Sequence, residues 1–349
     1  MTSAHKHGSF IIFLIIISIG LLSAQLSSAA VKKPVKKPTA KLQVKLASTA
    51  QPDAKPIEFL FLPPDGTTYV ESFKGTRIVS VDGLKRIPQT TEWKTRVTIT
   101  RTTDGYHVVR TPVSYSTSDI DEDSMQSIVT RCLRTAKLEY DLELTGYCST
   151  VVGMDKVLDE INSKIEKLKK DHRISDDSED SDEDESNDTL LKNLTISEEN
   201  SWSTRYMDLM GLYIKPGESM EESHEMSIYA GISSPGTIAT EVLGMQKVGN
   251  YDCAKVQYTM HTNSNKPSKY IERMLEMMFL SYTAMQSSYY GISRFSASET
   301  RECLVEPATL LIHSESSKSN SVVEIDFEND MKTTISFDEY EQYNFDYEK

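Results

Sequence analysis

Apolar and polar residues alternate along much of this chain, which predicts strands with one buried face. Tyr140, Leu142 and Leu144 alternate with Asp141, Glu143 and Thr145 up to Gly146, and a second strand over 148–152 stops at Gly153. Upstream, 59–62 reads as a buried strand closed by Pro63, Pro64, Asp65 and Gly66, with further strands over 68–73 and 76–81 around Lys74 and Gly75. A hairpin follows over 93–102 and 106–111, turning at Asp104 and Gly105. Downstream the idiom returns over 223–229, over 240–245 and 253–260 about Gly249 and Asn250, and over 291–304. A strand then starts at 310–312, and the last hairpin joins 322–327 to 333–337. Tyr340, Tyr343, Phe345 and Tyr347 are placed to fasten the terminus to a sheet.

Three stretches change to helical spacing. Met125, Ile128, Val129, Cys132 and Leu133 share one face of a helix within 119–137. Asp155 opens a second over 155–170, where Val157, Leu158, Ile161, Ile165 and Leu168 recur at three and four residues. The third, over 269–287 after Ser268, carries Ile271, Met274, Leu275, Met278, Phe279, Tyr282 and Met285 on a face too broad for a narrow seam. The expected fold class is therefore α+β: antiparallel curved sheets with packed amphipathic helices, arranged as two related halves. Such a face is expected to pack into the core; alternatively Met274, Met278, Phe279 and Tyr282 line an adaptable apolar cavity.

Charge and composition divide the chain. His5, Lys6 and His7 precede an apolar run over 10–19, and small residues such as Ser28 and Ala30 follow, so 1–30 has the form of a signal peptide. No later segment reaches membrane-spanning length. Residues 31–57 form a basic, Pro- and Lys-rich linker that could also touch anionic head groups. The net charge of −14 is concentrated in DDSEDSDEDESND, which holds nine acidic residues and no basic one. That tract defines an acidic linker over 173–196 between a first half, 58–172, and a second, 197–349. It lacks the glycine and DxDxDG spacing of a calcium loop. Asn187 and Asn193 stand in glycosylation sequons. No concentrated basic face suits nucleic acid.

Cys132, Cys148, Cys253 and Cys303 fit an oxidising destination, and pairing 132 with 148 and 253 with 303 keeps each bridge within one half. Redox-active thiols and metal ligation are the alternatives, but no CxxC pair is present. The histidines outside the leader, at 107, 172, 224, 261 and 313, are scattered. Ser223, His224 and Glu225 do not make a triad by adjacency, and the chain has no GxSxG, GxGxxG or Walker motif.

The segment YDLELTGYCSTVVGMD, the turn PGESM at 216–220, the hairpin strand from Cys253 and CLVEPATLLIHSES at 303–316 resemble a group of exported bacterial proteins. More loosely, the inferred architecture is similar to periplasmic half-barrel lipid carriers, although the lipobox cysteine of their lipoprotein members is missing. The resemblance implies no catalytic residues, metal or cofactor. The expected function is a non-catalytic, exported binding or structural protein of the cell envelope, secreted or periplasmic. One alternative is a carrier of a lipid or other hydrophobic small molecule, and another is a secreted hydrolase using two carboxylates.

Overall fold

The computed structural model describes residues 43–46, 55–118, 125–170, 191–192, 194–199, 201–202, 205–206, 209–229, 232–264, 289–327 and 332–348. The expected α+β class is overturned: strands dominate, and a single 13-stranded sheet takes the place of two sheets with helical layers. In chain order its strands include β1 (Gln43–Leu46), β3 (Thr67–Val81), β4 (Leu84–Lys85), β5 (Gln89–Arg101), β6 (Gly105–Thr117), β7 (Leu138–Glu143) and β8 (Cys148–Val152). They continue with β10 (Glu218–Tyr229), β11 (Ile232–Val248), β12 (Tyr251–Ser264), β13 (Tyr289–Val305), β14 (Ile312–Phe327) and β15 (Lys332–Tyr347). The spatial order is β1-β10-β11-β12-β13-β14-β15-β3-β5-β6-β7-β8, with β4 paired to β3 off this path. A small second sheet joins β2 (Ile57–Glu58) to β9 (Tyr213–Ile214).

The join between β15 and β3 makes the sheet continuous. It runs in register from Ile335 opposite Val81 to Tyr347 opposite Tyr69, so the aromatic terminus is itself a central strand. Period-two alternation marks a strand but not its partner, which is why this pairing of the two chain ends was not readable locally. Two separate strands expected around Lys74 and Gly75 are one, β3, because Gly75 accommodates the ring of Phe73. A Cβ at Gly75 would stand 2.6 Å from that ring.

Residues 59–62 differ as well. They alternate buried and exposed, yet they form no ladder of their own. Their backbone bridges two other segments instead: Phe59 N donates to Leu212 O, Gly211 N to Phe59 O, and Leu60 N to Pro307 O. Leu310, expected to start a strand, is a buried turn residue at φ 55°, and β14 begins at Ile312.

Helix α1 (Met125–Thr135) packs on β6, and α2 (Met154–Lys170) packs on α1. Met154, Val157, Leu158, Ile161 and Leu168 of α2 are buried, as their spacing requires. These helices, with helical residues among 191–206, cover one end of the sheet. Phe61, Tyr69, Val97, Ile99, Val108, Tyr140, Ile161, Trp202 and Leu209 belong to a single core there. The third expected helix, with Met274, Met278, Phe279 and Tyr282, lies outside the described residues.

The expected disulfides are also corrected: all four cysteines are buried thiols. Cys303 stands opposite Val256, so Cys253 is three residues further along its strand, about 10 Å away and on the other face. Cys132 accepts from Lys164 Nζ at 3.5 Å, while Cys148 Sγ donates to Thr150 O at 3.5 Å. Burial raises the Cys132 thiol pKa; burial, then Glu199, lifts Cys148 to about 12; burial, then Glu306, lifts Cys253 to about 11. Thiols held protonated are poor nucleophiles. Alkylation of the native protein near pH 8 should therefore be slow, whereas alkylation in denaturant without reductant should add four groups by intact mass. Fewer than four would restore a disulfide.

Candidate functional site

Side chains directly opposite one another in an antiparallel sheet share a face, so the register lines up residues across strands into rungs. On the face that carries the core, the rungs nearest the helices are rich in aromatic and aliphatic side chains, with Arg110, Glu71, Thr95 and Glu315 set among them. Tyr347, Tyr69, Val97 and Arg110 form one, followed by Phe345, Glu71 and Thr95. The next holds Cys303, Glu315, Tyr343, Phe73 and Trp93. Two charged rungs come after it: Arg301, Ser317, Glu341 and Gly75, then Glu299, Ser319, Glu339 and Arg77. Beyond these the face becomes apolar again, with Thr262, Ala297, Ser321, Phe337 and Val79 in one rung and Val323, Ile335 and Val81 in the next. Ala297, Val323, Ile335, Phe337 and Val79 are all buried. The face is thus stratified into apolar, charged and apolar bands.

The charges set within the first band and at the edge of the second are held by arginines. Arg205 Nη1 donates to Glu71 Oε1 at 2.7 Å, and its Nε lies 3.8 Å from Glu315 Oε2. The guanidinium also stacks over Tyr343 at 4.9 Å and Phe345 at 5.5 Å. Burial works against its charge, but Glu71 and Glu315 outweigh burial and raise its pKa above the ordinary value. Arg110 is held similarly: its Nη1 donates to Tyr140 Oη at 2.7 Å and to Glu198 Oε2 at 3.3 Å, and Tyr140 Oη donates to Glu198 at 3.1 Å. Arg77 approaches Glu339 at 3.3 Å and covers the Phe337 ring at 5.1 Å, which places it at the boundary of the second apolar band.

Glu341 differs from its neighbours. Burial, then the carboxylates of Glu339, Glu299 and Glu315, push it up to about 7, although Ser317 Oγ donates to it at 3.3 Å. Among the described residues no cluster of His, Cys, Asp or Glu is arranged to hold a metal. His107 sits between Asp141 at 2.8 Å and Glu139 at 3.4 Å, and His313 contacts Glu306 at 2.8 Å, so these two histidines lie in separate pairs. An open groove of about 600 Å³ is lined by Lys74, Thr76, Lys318, Tyr340 and Gln342 together with Ser317 and Glu341.

Of the residues singled out from sequence, the proposed lining Met274, Met278, Phe279 and Tyr282 lies outside the described residues, and the cysteines are brought together in no bridge. The sequence reasoning missed Arg205, Glu71, Glu315, Arg110, Glu198 and Glu341. A signal existed for some: Glu71 falls between Tyr69 and Phe73, and Glu341 shares parity with Tyr343 and Phe345.

No protein-family model and no curated protein matches the chain. Solved structures with some likeness include one described as lipid-protein interactions in lipovitellin, with a TM-score of 0.37 and 11% identity over 81% of this chain and 25% of that one. Another is DynF from the dynemicin biosynthesis pathway of Micromonospora chersina, with a TM-score of 0.18 and 8% identity over 91% of this chain and 94% of that one. This chain spans a quarter of the lipovitellin chain. Likeness at this level carries no functional argument.

Arg205→Met leaves Glu71 and Glu315 buried without their cation, and should lower unfolding stability by about 3–5 kcal/mol. Chemical denaturation measures this, and a loss below about 1 kcal/mol would show the pair to be peripheral.

Because the Glu341 pKa is raised on folding, the native state holds a proton that the unfolded state releases first. Stability contributed by that proton is complete below the ordinary carboxyl pKa and is lost as pH rises towards about 7. Glu341→Gln should flatten this slope, recovering on the order of 1–3 kcal/mol at neutral pH. Parallel denaturation curves between about pH 4.5 and 7.5 for both proteins would refute the assignment.

Proposed function

We propose that this chain is a non-catalytic, exported binding protein that carries an amphipathic lipid or similar hydrophobic molecule on the stratified face of its sheet. The supporting observation is the juxtaposition of the band Val79, Ala297, Val323, Ile335 and Phe337 with charged rungs containing Arg77, Arg301, Glu339 and Glu341. The five apolar side chains are themselves buried, so an acyl chain would insert between this band and what packs on it, gaining about 25 cal/mol per Å² of its own surface taken out of water. A polar head would then meet charged and hydroxyl groups one to two rungs, roughly 7–14 Å, further along the strands. Ligand sites of this kind combine apolar lining with a few orienting polar groups. Burial and orientation without bond-making complete the mechanism, and the cell envelope is the setting in which such a carrier would act.

Native mass spectrometry of the purified protein, followed by lipid extraction, should reveal a bound apolar species. After delipidation, a fluorescent fatty-acid probe should bind the wild type and bind Ala297→Trp at least about tenfold more weakly, because the indole fills the apolar band. Far-UV and near-UV circular dichroism verify that the variant remains folded. Undiminished binding by a folded Ala297→Trp, or lipid-free protein that binds no probe, would overturn the reading.

A further inference from the structure

The apolar band ends beside the hairpin that joins β3 to β4. Asp82 and Gly83 occupy the turn with φ of 50° and 80°, the left-handed pair that closes a tight hairpin. The tip is fixed from the side by β15: Asp82 N donates to Thr334 O, and Thr334 N donates to Asp82 Oδ1, both at 2.8 Å. Arg86 N closes back on Val79 O at 2.8 Å. All of residues 82–88 are exposed, yet the segment reads Asp-Gly-Leu-Lys-Arg-Ile-Pro. Leu84 is 78% exposed and Ile87 is 73% exposed, the two highest values for large apolar side chains among the described residues. Lys85 and Arg86 lie between them, and the carboxylate of Asp82 is engaged with Thr334.

We propose that this hairpin is a docking element for an anionic lipid surface. Its two apolar side chains suit the interfacial region of a bilayer, and its two adjacent cations suit lipid phosphates. The hydrogen bonds to Thr334 hold the tip in place, so little ordering accompanies contact. The position deepens the carrier reading, on which its purpose rests. Val81 of β3 belongs to the apolar band and immediately precedes the tip, so a docked hairpin would bring the band to the membrane from which a lipid is taken.

Vesicles of phosphatidylcholine, with and without about 30 mol% phosphatidylglycerol, supply the test, with bromine-labelled acyl chains as contact quenchers. Full-length Leu84→Trp is compared with full-length Leu62→Trp, whose site is 50% exposed just before β3 begins. Fifteen residues of β3 separate the two ends by about 45 Å. Trp93 and Trp202 are buried and give the same background in both proteins. Both variants retain the N-terminal apolar segment, so general tethering affects them equally.

The expected result is quenching at least about twofold greater for Leu84→Trp on anionic vesicles. Adding Lys85→Glu and Arg86→Glu should abolish that excess. Equal quenching at both sites, no quenching, or an excess unaffected by the charge reversal would overturn the proposal. Fatty-acid binding is read separately. A hairpin that contacts vesicles in a protein that binds no acyl probe retires the carrier and keeps the docking element, while the opposite result does the reverse.

Discussion

A guanidinium held between carboxylates ties the core together. Arg205 sits in helical residues 205–206, while Glu71 belongs to β3 and Glu315 to β14, so one half-buried cation fixes a helical segment against strands far apart in sequence. Desolvating three charges is expensive, and attraction offsets the cost only where donors and acceptors meet closely. The 2.7 Å contact to Glu71 and the rings of Tyr343 and Phe345 supply that closeness. The interaction adds specificity to the placement of β15, which lies between β14 and β3. Any slip of register by one residue would turn Tyr343 and Phe345 to the other face and leave the guanidinium without its rings.

The charged band also explains why one face supports two apolar bands. Aromatic packing around Phe73, Trp93 and Tyr343 closes the helix-covered core, with Phe73 stacked on Trp93 at 5.2 Å and Arg134 of α1 over Trp93 at 5.1 Å. Past this layer the strands continue, and their inward residues become Ser317, Glu341, Glu339 and Arg77 before returning to Phe337 and Ile335. Strands of 15 to 17 residues such as β3 and β13 are long enough to cross both bands. Their length has a functional meaning if the second band receives an amphiphile.

Much of the local structure was legible. The break at Gly146, the strand over 148–152, the second helix and the turns at Asp104-Gly105 and Gly249-Asn250 follow from period and turn chemistry, and they stand where expected. The α+β class failed because counting helices near strands does not tell which strands pair. The pairing of 69–81 with 335–347 is a long-range event with no local mark. The cysteine spacing suggested bridges because it carries no information about strand register or facing side. Part of the candidate site was legible in principle. Glu71 and Glu341 occupy inward positions by alternation, and charges at inward positions are the informative exceptions in an amphipathic strand. Arg205, the partner of Glu71, is not, since it lies in a segment without a clear period.

The stratified face and the hairpin favour one direction of use. A ligand seated wholly within a closed core would need no apolar exposure at the surface, and Leu84 and Ile87 would then be a solubility burden with no return. Exposure beside two cations, at the end of the strand that bears Val79 and Val81, makes sense when that end meets a layer with an apolar interior and anionic surface. The two elements also have different physical sensitivities. Attraction of Lys85 and Arg86 to an anionic surface would be screened by salt, whereas acyl burial at the proposed site against Phe337 and Ile335 would not. Salt would therefore weaken docking while leaving the acyl site intact, separating delivery from retention within one sheet.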